Sequence, residues 1–245
     1  GWYGSEGLTT VEQWGDLGPN FTDLEKAFWG TSLLTGVPEN FPSTVTTPAD
    51  KFWSSTLIND PGITLWNTSN LTNVAGMFHG ATSFNQDIST HLVQPDPLDP
   101  DQDYQTWSTD SVSFMDHMFD GAVAFDQDIG SWDTSAVLEM NSMFRGAYFF
   151  NPLYPNDNTL DESLLAISQF DQDISSWNTH NVTDMSMMFA YSRFDHDLNP
   201  IHVTTDPQFP YDSWDTSRVT SMNSMFGDAT LFNGDITGWD TSSVV

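Results

Sequence analysis

Asp99-Pro-Asp101-Gln-Asp103 places a carboxylate at every second position, the pattern that opens a calcium-binding loop, where a hard cation collects oxygen ligands from alternate residues. The glycine and distal glutamate of such a loop do not follow, so the first reading is a solvated acidic loop that could take calcium. Asn156-Asp157-Asn158, with Asp161 and Glu162, is a weaker version of the pattern. Acidic residues also recur in register. Asp87, Asp128, Asp173, Asp197 and Asp235 share one position, and Asn85, Asp126, Asp171, Asp195 and Asn233 stand two residues earlier. Carboxylates stacked about 5 Å apart repel, so they need backbone amides as donors or a bound cation. Hydrogen bonds that cap backbone groups in each repeat are the expectation.

The histidines fall at different phases of the same register, with His79 at +13, His117 at +10 and His180 at +3, so the repeat places no two of them to share a metal and zinc is not expected. The chain has no Gly-Lys phosphate loop, no Gly-x-Ser-x-Gly elbow and no His-Glu-x-x-His segment. Carboxylate pairs suited to glycoside hydrolysis are too abundant here for any one pair to be informative. Neither an enzyme nor a required cofactor is expected.

Thirty-four acidic residues face five basic ones, a net charge of −29, which repels nucleic acid and anionic membranes. Cysteine is absent, which excludes a disulfide-stapled small domain. No apolar run approaches the roughly 20 residues of a membrane span. The first residue is Gly1, consistent with removal of a signal segment.

What must position these residues is a repeat. Trp107 to Trp132 and Trp214 to Trp239 are each 25 residues apart, and the other Trp steps are longer by inserted loops. Counting from each Trp, Val or Leu recurs at +5, Met or Val at +8, Met at +11, Phe at +12, Ala at +15, Phe at +18 and Asp-Ile at +21 and +22. A unit of this length cannot bury its own apolar face and must stack on its neighbours. The whole chain, 1–245, reads as one domain with coils starting at 66, 107, 132, 177, 214 and 239 and a degenerate first coil over 16–31. Segments 31–65, 89–105, 151–168 and 199–212 read as surface insertions. Thr-Ser pairs after the Trp suit a helix N-cap, and the offsets +5, +8, +11 and +12 follow helical spacing. The Phe-x-x-Asp-Ile stretches 84–88 and 125–129 read as strands. The expected fold is an α/β repeat solenoid, leucine-rich-repeat-like, with one short parallel strand and one short helix or helical turn per coil.

The phrase Phe84-Asn-Gln-Asp-Ile-Ser89, followed in other copies by Trp132-Asp-Thr-Ser-Ala-Val137 and Met140-Asn-Ser-Met143-Phe144, resembles the surface-protein repeat of the BspA-like branch of the leucine-rich-repeat superfamily. The resemblance covers 66–88, 107–150, 170–198 and 214–245. It implies an extracellular scaffold for adhesion, recognition or assembly, secreted or displayed on a cell or virion surface, without catalytic machinery.

Asn20, Asn70 and Asn181 lie at +4 in their copies and begin Asn-x-Ser/Thr sequons, as Asn67 also does, so the repeat aims candidate glycosylation sites along one edge. The ends suggest assembly. Trp239, Val244 and Val245 supply only the opening of a coil, and Phe21, Leu24 and Phe28 form the apolar first coil at the other end. Two uncapped ends could join head to tail into a filament of identical subunits. The alternative is a monomeric adhesion or recognition module that binds a protein or glycan through its strand face and loops such as Lys51-Phe52-Trp53.

Overall fold

In a computed structural model of the chain, the described residues are 7–15, 17–18, 20–95, 100–147, 166–204 and 210–245. Where Val112, Met115, Met118 and Phe119 promised a helix, the backbone does something else. The amides of Met115, His117, Phe119 and Gly121 donate to the carbonyls of Glu139, Asn141, Met143 and Arg145 in the next coil, over 2.8–3.1 Å. The amides in between, from Met118, Asp120 and Ala122, donate to the carbonyl three residues back, over 2.9–3.2 Å. An α-helix needs consecutive amides bonded four residues back, and here alternate amides leave for the neighbouring coil. His117, Ser142, Met187 and Ser224, all at +10, have φ between 52° and 57°, a left-handed conformation that a right-handed helix cannot contain.

The expected α/β solenoid with a strand and a helix in each coil is therefore not what forms. Among the described residues there is no α-helix, and helical structure is limited to 3-10 turns at Pro61–Leu65 and Pro100–Gln102. The strands expected at 84–88 and 125–129 are also absent. Strands occur instead in two of the predicted insertions. Leu92–Val93 (β1) pairs antiparallel with Tyr104–Gln105 (β2), and His202–Val203 (β3) with Tyr211–Asp212 (β4). Each of these ribbons carries the chain out of the stack and back. Successive coils meet through single parallel bridges, one series running Asn73, Phe114, Glu139, Asp184, Ser221.

Turns closed every third residue put every third side chain inward, which is why Val112, Met115 and Met118 are buried at spacing that imitates a helix. The core is a set of aromatic columns. Phe28, Phe52, Phe78, Phe119, Phe144, Phe189 and Phe226 stack with ring centroids 5.6–5.8 Å apart, inside the favourable range for aromatic pairs. The indole N–H of Trp132, Trp177 and Trp214 donates to the carbonyl of Ile88, Ile129 and Ile174, one coil earlier, so each large ring is buried without an unsatisfied donor.

The polar ladders tie the coils together as hydrogen-bond acceptors. Asn85 Oδ1 accepts from the Asp126 amide at 2.9 Å and from Gln127 Nε2 at 2.8 Å, and Asp126 Oδ1 does the same for Asp171 and Gln172 at 3.0 and 2.8 Å. Asp87 and Asp173 turn back on their own coils and accept from the amides of Ser89 and Ser175, and these bonds hold both carboxyls below the ordinary aspartate pKa. Asn85→Ala is expected to cost about 1 kcal/mol, because two donors lose one acceptor at a solvent-exposed site. A urea midpoint measurement checks this.

Part of 31–65 is not an inserted loop. The amides of Asp50, Phe52 and Ser54 donate to Ala75, Met77 and His79, and Leu24, Lys26 and Phe28 donate to Thr47, Ala49 and Lys51. This stretch is a rung of the stack between the first coil and the coil at Trp66. It escapes recognition because Asn40 stands at the Trp position and Lys51 at +11, where Met77, Met118, Met143, Met188 and Met225 stand elsewhere. Lys51 and Phe52 are consequently buried, not offered on a loop.

Candidate functional site

Position +13 follows the buried Phe at +12, and its side chains run in a row along one face. The row reads Trp29, Trp53, His79, Asp120, Arg145, Ala190, Gly227. Trp53 lies 6.1 Å from Trp29 and stacks on the His79 ring at 3.8 Å. Tyr191 and Asp228, which follow Ala190 and Gly227 in the chain, line the same face. With small residues on its floor, this face is a trough of about 660 Å³ bordered by Trp53, His79, Arg145, Met187 and Tyr191. Gly121 contributes to that floor with φ 72°, a conformation that glycine adopts without cost.

The centre of the trough is charged. The Asp120 side chain is 3% exposed, and its Oδ1 and Oδ2 accept from Arg145 Nε at 2.9 Å and from the second guanidinium nitrogen at 2.7 Å. His117 Nδ1 lies 2.8 Å from the same Oδ2. Burial alone would raise the Asp120 pKa, but the bonds from His117 and Arg145 outweigh it and hold the carboxyl below its ordinary value. His79 Nδ1 is 3.9 Å from Asp120 Oδ2 and has no hydrogen-bond partner. Burial pushes the His79 pKa down to about 4, so its ring is neutral at physiological pH.

The differing phases of His79 and His117 do not keep them apart, contrary to the sequence expectation. Positions +10 and +13 lie one turn apart on the same side of the ladder, and adjacent coils bring the two rings to 5.9 Å. Among the described residues, His79, His117 and Asp120 are the one group of three whose potential ligand atoms all lie within 4.8 Å of one another. The sequence signal for this cluster was the unusual occupancy of +13, visible only once +13 is known to face outward.

The acidic loop behaves differently. Asp99 lies outside the described residues, as do 156–158 and 161–162. Asp101 is exposed in the 3-10 turn Pro100–Gln102, and Asp103 Oδ2 accepts from Gln94 Nε2 at 2.9 Å. Asp101 and Asp103 are not brought into a common ligand set.

Asn20, Asn67 and Asn70 are exposed and Asn181 is half-buried. Asn70 Nδ2 donates to the Ser43 carbonyl and Asn181 Nδ2 to the Ser135 carbonyl, both at 2.8 Å, so the nitrogen that would carry a glycan spans two coils at each site. Asn181 Oδ1 also accepts from Arg218.

The apolar first coil is not an open face. Leu24 and Phe28 are buried, and Leu8, Val11 and Trp14 pack against the same core, with the Trp14 ring 5.9 Å from Phe28. Phe21 is partly buried in that cluster. Trp239 stacks on Trp214 at 6.0 Å and is partly buried; Val244 is half-buried and Val245 fully exposed. Among the described residues no helix is long and apolar enough to cross a membrane.

A family model described as "Mycoplasma protein of unknown function, DUF285" matches residues 21–95, 98–162 and 158–245. No curated protein and no solved structure matches the chain.

Proposed function

We propose that this chain, which belongs to the DUF285 family of proteins of unknown function, is a non-enzymatic recognition module that works outside the cell and holds an extended stretch of a partner, protein or glycan, along its trough. The observation that carries this reading is the +13 row. In a stack whose core columns are uniform, this row, which lines the trough, changes identity at each coil, from Trp29 and Trp53 through His79, Asp120 and Arg145 to Ala190 and Gly227. Uniform columns serve packing. A varied, partly exposed column of aromatic and charged groups lining a concave surface serves recognition.

The aromatic end supplies the platform. Trp53 is half-exposed, and its stacking on His79 fixes the ring, so little side-chain entropy is lost when a ligand covers it. The Asp120–Arg145 pair gives a rigid polar edge, and the small residues at 190 and 227 leave room for a chain to continue. The acidity of the surface, −29 overall, favours neutral or cationic partners over polyanions.

Trp53→Ala is expected to weaken binding of ligands from a combined glycan and peptide array by roughly 30-fold, the loss typical of a buried Trp anchor, and to leave the far-UV spectrum unchanged. Binding that survives this substitution undiminished, or no array ligand at all, would sink the trough as the recognition surface.

A further inference from the structure

We propose that His79, His117 and Asp120 form a binding site for one divalent transition-metal ion of the zinc, cobalt or nickel class, set in the middle of the trough. Two imidazole nitrogens and one carboxylate oxygen are the ligand set that such borderline ions prefer over calcium or magnesium. The inference is independent of what partner the trough holds.

The separations fit. Ligands about 2.1 Å from a tetrahedral zinc ion lie about 3.4 Å from one another. The atoms here straddle that value, with Asp120 Oδ2 at 2.8 Å from His117 Nδ1 and 3.9 Å from His79 Nδ1. His79 Nδ1 is the telling atom. It is buried, aimed at the carboxylate and unsatisfied, although buried polar atoms almost always have partners. A cation lying between it and Asp120 would supply one.

The supporting groups are already in place. Trp53 stacks on the His79 ring and fixes its plane. The backbone holds the three residues in register, since Ser54 donates to the His79 carbonyl, Gly80 to the Asp120 carbonyl and Asp120 to the His117 carbonyl. Arg145 orients the carboxylate as metal ligands are commonly oriented by their neighbours; its Nε bonds Oδ1 and its second nitrogen takes one lone pair of Oδ2, so the lone pair that now faces His117 Nδ1 is the one left for the ion. Asn141 Nδ2 sits 3.3 Å from His117 Nε2. With its amide turned, it accepts the proton that His117 carries on Nε2 when Nδ1 binds metal. The guanidinium of Arg145 repels the ion locally, and the net charge of −29 on the chain offsets that repulsion at long range.

The test is calorimetric titration of the purified full chain with zinc chloride, paired with cobalt absorption spectroscopy, in the presence and absence of excess calcium. The expected result is about one equivalent bound, a cobalt spectrum of tetrahedral intensity and no competition from calcium. His79→Gln and His117→Gln should each weaken binding by roughly tenfold or more. His180→Gln, which alters an exposed histidine paired with Asp215, should leave it unchanged. Circular dichroism verifies that each variant is folded. In the unaltered chain, zinc-dependent shifts of the His79 and His117 ring protons give a readout that needs no variant. Absence of stoichiometric binding, competition by calcium, ring shifts confined to other histidines, or binding that persists in both folded variants overturns the proposal.

Discussion

Lys51→Met is expected to raise the unfolding free energy at pH 7 by about 2–4 kcal/mol, although it removes a charged residue from a chain with very few cations. Lys51 is completely buried, and its Nζ has no hydrogen-bond partner. Five aromatic rings surround it, with centroids at 3.9 Å for Trp14, 4.5 Å for Phe41, 5.1 Å for Trp66, 5.5 Å for Phe52 and 5.6 Å for Phe28. Cation–π attraction in such a cage is worth about 2 kcal/mol when the cation is desolvated. Removing an ammonium from water without a counter-ion costs several kcal/mol. Desolvation wins, and burial pushes the Lys51 pKa well below the ordinary lysine value. Methionine is nearly isosteric, and Met77 and Met118 already occupy this position in other coils.

The pH dependence separates this account from simple repacking. Between the lowered folded pKa and the unfolded value near 10.4, the unfolded chain binds one more proton at this site than the folded chain does. Stability of the unaltered protein therefore rises with pH across that window, by up to about 1.4 kcal/mol per pH unit, while the Met variant lacks this contribution. Urea denaturation of the two proteins should show their difference shrinking from pH 7 to pH 10. A difference that stays constant, or a Met variant that is less stable at pH 7, would mean that the cage holds a charged ammonium at a net gain.

The repeat itself was legible in the sequence. The Trp, Phe and Met columns that pack the core and the bonding of the Asn85 and Asp126 ladder follow from residues that recur in phase. The local backbone was not legible. Three-residue turns and α-helices both bury positions such as Val112, Met115 and Met118, and what separates them is where alternate amides point, a matter of contact between coils that a single coil does not encode. The positive φ at +10 gave little warning, because Ser142, Met187 and Ser224 are ordinary residues held there by the ladder. The rung through Lys51 was hidden for a related reason: two column residues are replaced, and the neighbours on both sides supply the register. The His79, His117 and Asp120 cluster is hidden in the sequence because its members differ in phase, and only the stacked turns show that +10 lies beside +13.

The same cluster yields a large destabilisation when its balance of charge is broken. Arg145→Met is expected to cost about 3 kcal/mol, the lower end for a broken buried pair because a quarter of the Arg145 side chain reaches solvent. The substitution leaves Asp120 almost fully buried with His117 as its remaining side-chain donor. In the unaltered protein the Asp120 pKa is lowered, so its contribution is present above the unfolded aspartate value and is lost as pH falls through the lower folded value. Without Arg145, burial, the largest influence on this carboxyl, is opposed chiefly by the His117 bond, and the sign is expected to reverse. The carboxyl is then raised above its unfolded value, the folded state holds the extra proton between the two values, and the variant gains stability as pH falls through that raised pKa toward the unfolded aspartate value. Denaturation curves at pH 7 and pH 5 should therefore converge for variant and parent. Asp120→Asn combined with Arg145→Met should recover part of the loss, since no buried charge remains to be satisfied. A single-variant effect within about 0.5 kcal/mol at both pH values would show instead that water solvates the carboxylate as well as the guanidinium does. The trough would then be too wet at its centre to pre-organise a polar edge.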